Sequence, residues 1–353
     1  MSLPFAAEAR AALGPALFDY MQGRAGDSHA APGEDANAAA FARLRLIPRL
    51  FSEAGPPDLA TELAGRRMAA PVMIGAFAGD RVFHAEGILP VARVAARLGL
   101  DLVLSEETVT PLAEVTAAHP GTWLQLRAAG SEDRIARIVS AAAGAGAAGI
   151  VLTLMAPSHP RPGQRPGGFD IGAELVSRGW STIGTQLDGS HRPGVAPLEA
   201  FPRWDAARLG RIAALARSLG LPLMVKGVLN PADLAPLADC GVAGAVASNV
   251  GLRQSSRWAL ALDQLPALAA ARPAGLPLLL DGGVRHGADV IAASLLGAAA
   301  CVATRPVLCA LAAGGEAAVE AWLNGLLDNL YAMTAWMGAA HPAALDPGQL
   351  LRD

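Results

Sequence analysis

The sequence predicts one (β/α)8 barrel domain spanning residues 1–353. Eight short runs are almost wholly apolar, as strands buried on both faces must be. Segments with helical spacing separate them. Eight such units within residues 71–335 close a barrel more readily than they build an open sheet.

In chain order the eight runs are Pro71–Ala76, Asp101–Ser105, Thr122–Leu126, Gly149–Leu154, Pro222–Lys226, Gly244–Ser248, Pro277–Asp281 and Ala300–Thr304. After the third run, Ser131 is placed to cap a helix whose first turn holds Glu132 and Asp133, which the helix dipole favours. Ile135, Ile138, Val139 and Ala142 then share one face. After the fifth run, Asn230–Pro231 is a helix start and Gly241 its C-terminal stop. Residues 1–70 read as a helical extension with turns, packed against the barrel. Residues 155–202 are too long for an ordinary strand-to-helix connection and rich in Gly, Pro and Arg. They follow the fourth strand on the face where barrel sites form, and so read as a lid.

Composition narrows the function. The chain is 52% hydrophobic and 17% charged, ample for a large core. A formal net charge of -3 gives no electrostatic footing for nucleic acid or an acidic membrane surface. No run approaches the roughly 18 uninterrupted apolar residues of a membrane span. The N-terminus MSLPFAAEAR does not read as a signal peptide. Cys240, Cys301 and Cys309 form no paired motif and read as small buried residues of a reduced, cytoplasmic protein. No His/Asp/Glu cluster suggests a metal. Of 28 basic residues only Lys226 is a lysine, so it is expected where a compact charge on a thin stem is required and the guanidinium fork does not fit.

The C-terminal ends of the strands carry Ala78, Ser105, Gln125, Thr153, Lys226, Ser248, Asp281 and Arg305. Hydroxyls and an amide there suit a flat heterocycle with several donors and acceptors. The last two units carry DGGVRHG (Asp281–Gly287) and TRP (Thr304–Pro306). A glycine pair lets backbone amides approach a phosphate, and Arg285 and Arg305 can neutralise it, after the seventh and eighth strands where barrels commonly hold one. The plain alternative is a turn bearing two surface arginines.

These motifs join others into a resemblance: FDYMQGRAGD (Phe18–Asp27), Asn37, Phe41, LIPRL (Leu46–Leu50), WLQL, VLTLMAP, LMVKGVLNPADL, SNVGLRQ (Ser248–Gln254) and LLLDGGVRHGADV. The chain resembles the FMN-dependent α-hydroxy acid dehydrogenases and oxidases over nearly its whole length. The resemblance implies FMN as cofactor. Ala78 would meet the flavin through its backbone, and Ser105, Gln125 and Thr153 would bond the ring edges, with Ser248 in the same set. Lys226 would stabilise the charge of the reduced ring. Asp281, Gly283, Arg285 and Arg305 would hold the ribityl chain and phosphate, with Thr304 where the family usually has Gly. Tyr20 and Arg253 match the residues that bind the carboxylate of a small acidic substrate. A homo-oligomer, a tetramer, is implied in the same way.

The resemblance breaks at the proton-abstracting pair. The family's SNHGGRQ stretch reads SNVGLRQ, placing Val250 at the histidine. The Asp that partners that histidine, two residues beyond the Thr of the fourth strand, is Met155. Valine cannot accept a proton, and removing a general base costs about 10²–10⁴ in rate. Arg127 replaces a second substrate tyrosine, and Glu106 and Glu107 stand where the family often has Ser and Trp. Arg127 and these glutamates either pair and fill space or form a new polar wall. The lid arginine has no clean match: Pro162 is nearest, beside Arg161 and Arg165. Two histidines, His159 and His191, fall in the lid; His84 is read as opening a helix and His286 as a neighbour of the phosphate motif. The expectation is an FMN oxidoreductase with altered chemistry, with Lys226, Arg253, Tyr20 and Arg127 as its working side chains. The alternatives are a hydroxy acid oxidase with a base from the lid and a non-catalytic flavin-binding protein or partner subunit.

Overall fold

The computed structural model describes residues 3–23, 35–155, 169–196 and 204–352. Its centre is a closed barrel of parallel strands β4 (Val72–Ile74), β5 (Leu102–Ser105), β6 (Thr122–Arg127), β7 (Gly149–Thr153), β8 (Leu223–Val228), β9 (Gly244–Ala247), β10 (Leu278–Asp281) and β11 (Ala300–Ala303). Each pairs with the next, and β11 closes onto β4. All eight expected strands are therefore present, within about two residues of their expected ends.

The alternation of side chains along each strand divides the core. Met73, Val103, Trp123, Val151, Met224, Val246, Leu279 and Val302 fill the barrel interior. Their neighbours Ile74, Leu102, Leu104, Leu124, Ile150, Leu152 and Val225 pack outward. The helices meeting that outer face are α3 (Asp80–Phe83), α4 (Leu89–Leu98), α5 (Leu112–Ala118), α6 (Glu132–Gly144), α9 (Ala206–Ser218), α10 (Leu234–Asp239), α11 (Ala261–Ala271), α12 (Gly287–Leu295) and α13 (Arg305–Trp336). Ser131 caps α6 by accepting from the Arg134 amide, and Ile135, Ile138, Val139 and Ala142 are fully buried. Asn230 caps a short 3-10 turn, Pro231–Asp233, that leads into α10, and Gly241 follows in the left-handed region at φ 70°.

Residues 1–70 hold more than helices and turns. Among the described residues, α1 (Ala6–Gln22) and α2 (Ala36–Phe41) are followed by three short strands, β1 (Leu44–Leu46), β2 (Thr61–Leu63) and β3 (Arg66–Met68). β1 pairs antiparallel with the C-terminal β12 (Leu350–Arg352), and β2 with β3. Strands of three residues are too short to show a period. The hairpin packs at the N-terminal strand ends: Arg66 bonds Asp101 at 2.9 Å, Asp101 also accepts from the Trp123 indole, and Leu63 and Met68 join the interior cluster.

The segment expected to form a lid also carries structure within its described part, α7 (Ile171–Ser177) and α8 (Ile183–Leu187). Asp170 caps α7 through the amides of Gly172 and Ala173. His84 ends α3 instead of opening a helix. α13 is long and apolar enough by composition to cross a membrane. It is kinked at Gly314–Gly315, however, and half of its most apolar stretch is buried in the fold. Cys301 and Cys309 are buried as expected, whereas Cys240 is only half-buried.

Candidate active site

A cavity of about 880 Å³ opens at the C-terminal ends of the strands. Ala78, Ser105, Gln125, Thr153, Lys226, Asp281, Gly283, Arg285, Thr304 and Arg305 line it, as do Tyr20, Arg127 and Arg253. Ser248 does not. It is fully buried, donating to Asp281 Oδ2 at 2.6 Å and accepting from the Val250 amide at 3.0 Å. Expected among the cofactor contacts, Ser248 instead has its hydroxyl engaged by these two residues.

One wall carries mixed donors and acceptors. Gln125 Nε2 donates to Thr153 Oγ1 at 2.9 Å. Lys226 Nζ reaches Asp281 Oδ2 at 2.7 Å, so that one carboxylate oxygen serves both Lys226 and Ser248. The strand bulges just after Lys226. Gly227 there has φ 99°, and a Cβ on it would stand 2.3 Å from the Met155 Cβ. Only glycine lets β8 and the start of the lid meet so closely.

The last two strand ends form an anion cradle. Gly283 has φ 87°, and a Cβ on it would lie 2.3 Å from the Asn37 carbonyl oxygen, so the turn sits tight on α2. Asp289 accepts from the amides of Arg285 and His286, fixing the turn that enters α12. The Arg285 side chain is 4% exposed, which excludes a surface arginine. Its Nε is buried with no partner among the described residues. Asp35, at the start of α2, accepts from both Arg285 and Arg305.

The third wall is formed by Tyr20, Arg253 and Phe169. The Arg253 guanidinium lies 5.0 Å over the Tyr20 ring, and Tyr20 meets Phe169 of the lid at 5.6 Å. Burial pushes the Tyr20 phenol up, against a partial counter-effect from Arg253, so it stays a donor at neutral pH. Burial also lowers Arg253, although a guanidinium keeps its charge in any ordinary range. Val250 and Met155 line the same cavity. Val250 and Leu252 sit in the left-handed region, at φ 51° and 58°, where branched side chains are strained.

Arg127 resolves toward the pairing alternative. Its Nη2 meets Glu107 Oε1 at 3.0 Å and donates to the Ala196 carbonyl, and its amide donates to Glu106 Oε1. Glu106 also takes Arg134 at 2.8 Å, and Arg134 reaches Asp188 beyond α8 at 3.0 Å. Asp35, Arg134 and Phe169 were not singled out from sequence. Asp35 leaves a legible trace as a helix cap two residues before Asn37, but nothing local marks its arginine partners. Among the described residues no histidine lines the cavity, and His191 is exposed. His159, Arg161, Pro162 and Arg165 lie outside the described residues.

A closed parallel barrel with a donor-lined cavity and a two-arginine cradle after its last strands fits a flavin nucleotide. The unpartnered Arg285 Nε and the tight glycine turn suit its phosphate. The chain belongs to the FMN-dependent dehydrogenase family, which it matches over residues 9–352. It is 34% identical to an L-lactate oxidase of Alicycliphilus denitrificans over 312 residues, covering 86% of this chain and 84% of the relative. It is 32% identical to a 4-hydroxymandelate oxidase of Amycolatopsis orientalis, covering 91% and 90%. A crystal structure of mandelate oxidase superposes with TM-score 0.78 at 27% identity, over 99% of this chain and 97% of that one — the same barrel from end to end. The cofactor is FMN, and the relatives place the chain among FMN-dependent oxidoreductases.

Proposed function

We propose that this chain is an FMN-dependent oxidoreductase for a small carboxylate-bearing substrate, by a route that needs no histidine base. One observation carries the reading. Two apolar side chains, Val250 and Met155, line the cavity beside Tyr20, Arg253 and Lys226. Bound FMN supplies a two-electron acceptor. Arg253 and the protonated Tyr20 are the groups to bind and orient a carboxylate, as a cation and a neutral donor. Lys226, braced by Asp281, keeps a positive charge on the cavity wall for charge that develops in the reaction. Phe169, Val250 and Met155 exclude water from that region.

A hydroxy acid needs its hydroxyl proton removed as its C–H bond breaks, and neither Val250 nor Met155 can take it. A neutral amine already has the electron pair that expels hydride, so an amine-bearing or otherwise activated acid fits better. A cytoplasmic location and a homo-tetramer belong to this proposal, supported by the cysteine pattern and by the resemblance alone. The test is the paired substitution Val250→His with Met155→Asp. Turnover of lactate, glycolate or mandelate should rise at least about 10²-fold over wild type. No gain with any of the three, in a variant that retains flavin, counts against a site lacking only its base.

A further inference from the structure

The two arginines of the anion cradle do not have both charges free for a phosphate. Asp35 caps α2 with Oδ1, which accepts from the Asn37 amide at 3.1 Å. Its Oδ2 accepts from Arg285 Nη2 at 2.5 Å and from Arg305 Nη1 at 2.9 Å. The Asp35 side chain is 8% exposed, so water screens the triad little. Other guanidinium nitrogens are also committed. Arg285 Nη1 donates to the Val284 carbonyl and Arg305 Nη2 to that of Gly251.

We infer that Asp35 sets the charge of the cofactor cradle, so that the FMN phosphate meets a net single positive charge instead of two. The inference rests on the family's cofactor and adds a residue that weakens its hold. A phosphate monoester carries about -1.5 to -2 at pH 7, which two unshared guanidiniums match and a shared pair does not. Burial alone would raise the Asp35 carboxyl, but Arg305 and Arg285, with the Ala38 amide, outweigh it and hold the group below its usual range. It is therefore ionised at neutral pH and repels a second anion on the same arginines. The cradle then gains less from a ligand's phosphate than its two arginines suggest. FMN is held loosely, and riboflavin, which lacks the phosphate, is disfavoured less.

Asp35→Asn isolates the charge, because asparagine also caps a helix and has nearly the same shape. Flavin-stripped full-length protein is titrated with FMN and with riboflavin, following quenching of flavin fluorescence. The FMN dissociation constant should fall about tenfold or more in Asp35→Asn, while that for riboflavin stays within about twofold. Asp35→Ser, which keeps a capping oxygen and drops the charge, should shift FMN in the same direction and serves if the first variant does not fold. Unchanged or weakened FMN binding beside unchanged riboflavin binding overturns the inference, and Asp35 then orders the arginines instead. If wild type binds neither flavin, the cofactor assignment itself falls and this inference with it.

Discussion

Glu106→Gln is a one-atom change at the joint between lid and barrel. Glu106 is 1% exposed at the end of β5. Its Oε2 accepts from Arg134 Nη2 at 2.8 Å, its Oε1 from the Arg127 amide at 2.6 Å, and its carbonyl oxygen from the Gly184 amide of α8. The amide variant keeps the shape and removes the charge. Hydrogen bonds to charged groups contribute about 1.5–3 kcal/mol, against about 1 for neutral ones. Complete loss of a buried ionic partner costs about 3–5 kcal/mol. Arg134 keeps Asp188, so the expected cost is about 2–3 kcal/mol. Denaturant titration should show a lower midpoint with an unchanged slope. The control is Glu132→Gln. Glu132 meets Arg211 at 2.6 Å and 2.7 Å, bonds as short as those of Glu106, but Arg211 is exposed and solvent screens the pair. That substitution, which also removes one charge from the first turn of α6, should lower the midpoint far less than Glu106→Gln does. If both variants shift the midpoint equally, burial does not govern the strength of this network and the reasoning fails.

Two further outcomes follow from the same geometry. Gly227→Ala places a Cβ 2.3 Å from that of Met155, at a φ of 99°. Its backbone conformation alone should cost about 1–3 kcal/mol, read by the same titration, and a loss under about 0.5 kcal/mol would refute the close approach. For Asp188, burial raises the carboxyl, but the Ser190 hydrogen bonds and Arg134 outweigh it and hold the group low. A folded value below the unfolded value means that its contribution is complete above the ordinary 3.8 and fades as pH falls past it. The stability gap between wild type and Asp188→Asn should therefore be open at pH 7 and shrink toward pH 3, and a constant gap would contradict the assignment.

The barrel was legible because strands covered on both faces are written as continuous apolar runs, such as Pro71–Ala76 and Pro277–Asp281, and eight of them alternate with helical segments. Hydroxyl and amide residues at strand ends were legible for a related reason, since strand direction alone decides that Ser105, Gln125 and Thr153 face the cavity. Ser248 obeys the same positional rule but turns away, because Asp281 and the Val250 amide take its hydroxyl. Links distant in sequence left no such trace. Asp35 lies 250 residues from Arg285, and Arg134 lies 54 from Asp188. Nor does the sequence show that the Val250–Leu252 stretch keeps a left-handed path that suits glycine better than valine or leucine.

The proposed route without a histidine base is tested most directly in the unaltered protein. Purified flavin-loaded wild type is mixed anaerobically with lactate, glycolate and mandelate in turn, and the oxidised flavin absorbance is followed. On the proposed reading, in which Val250 and Met155 replace the proton-abstracting pair, the absorbance should persist through the mixing experiment with all three. Rapid bleaching by any of them would show that hydroxy acid oxidation survives, and that another group removes the proton.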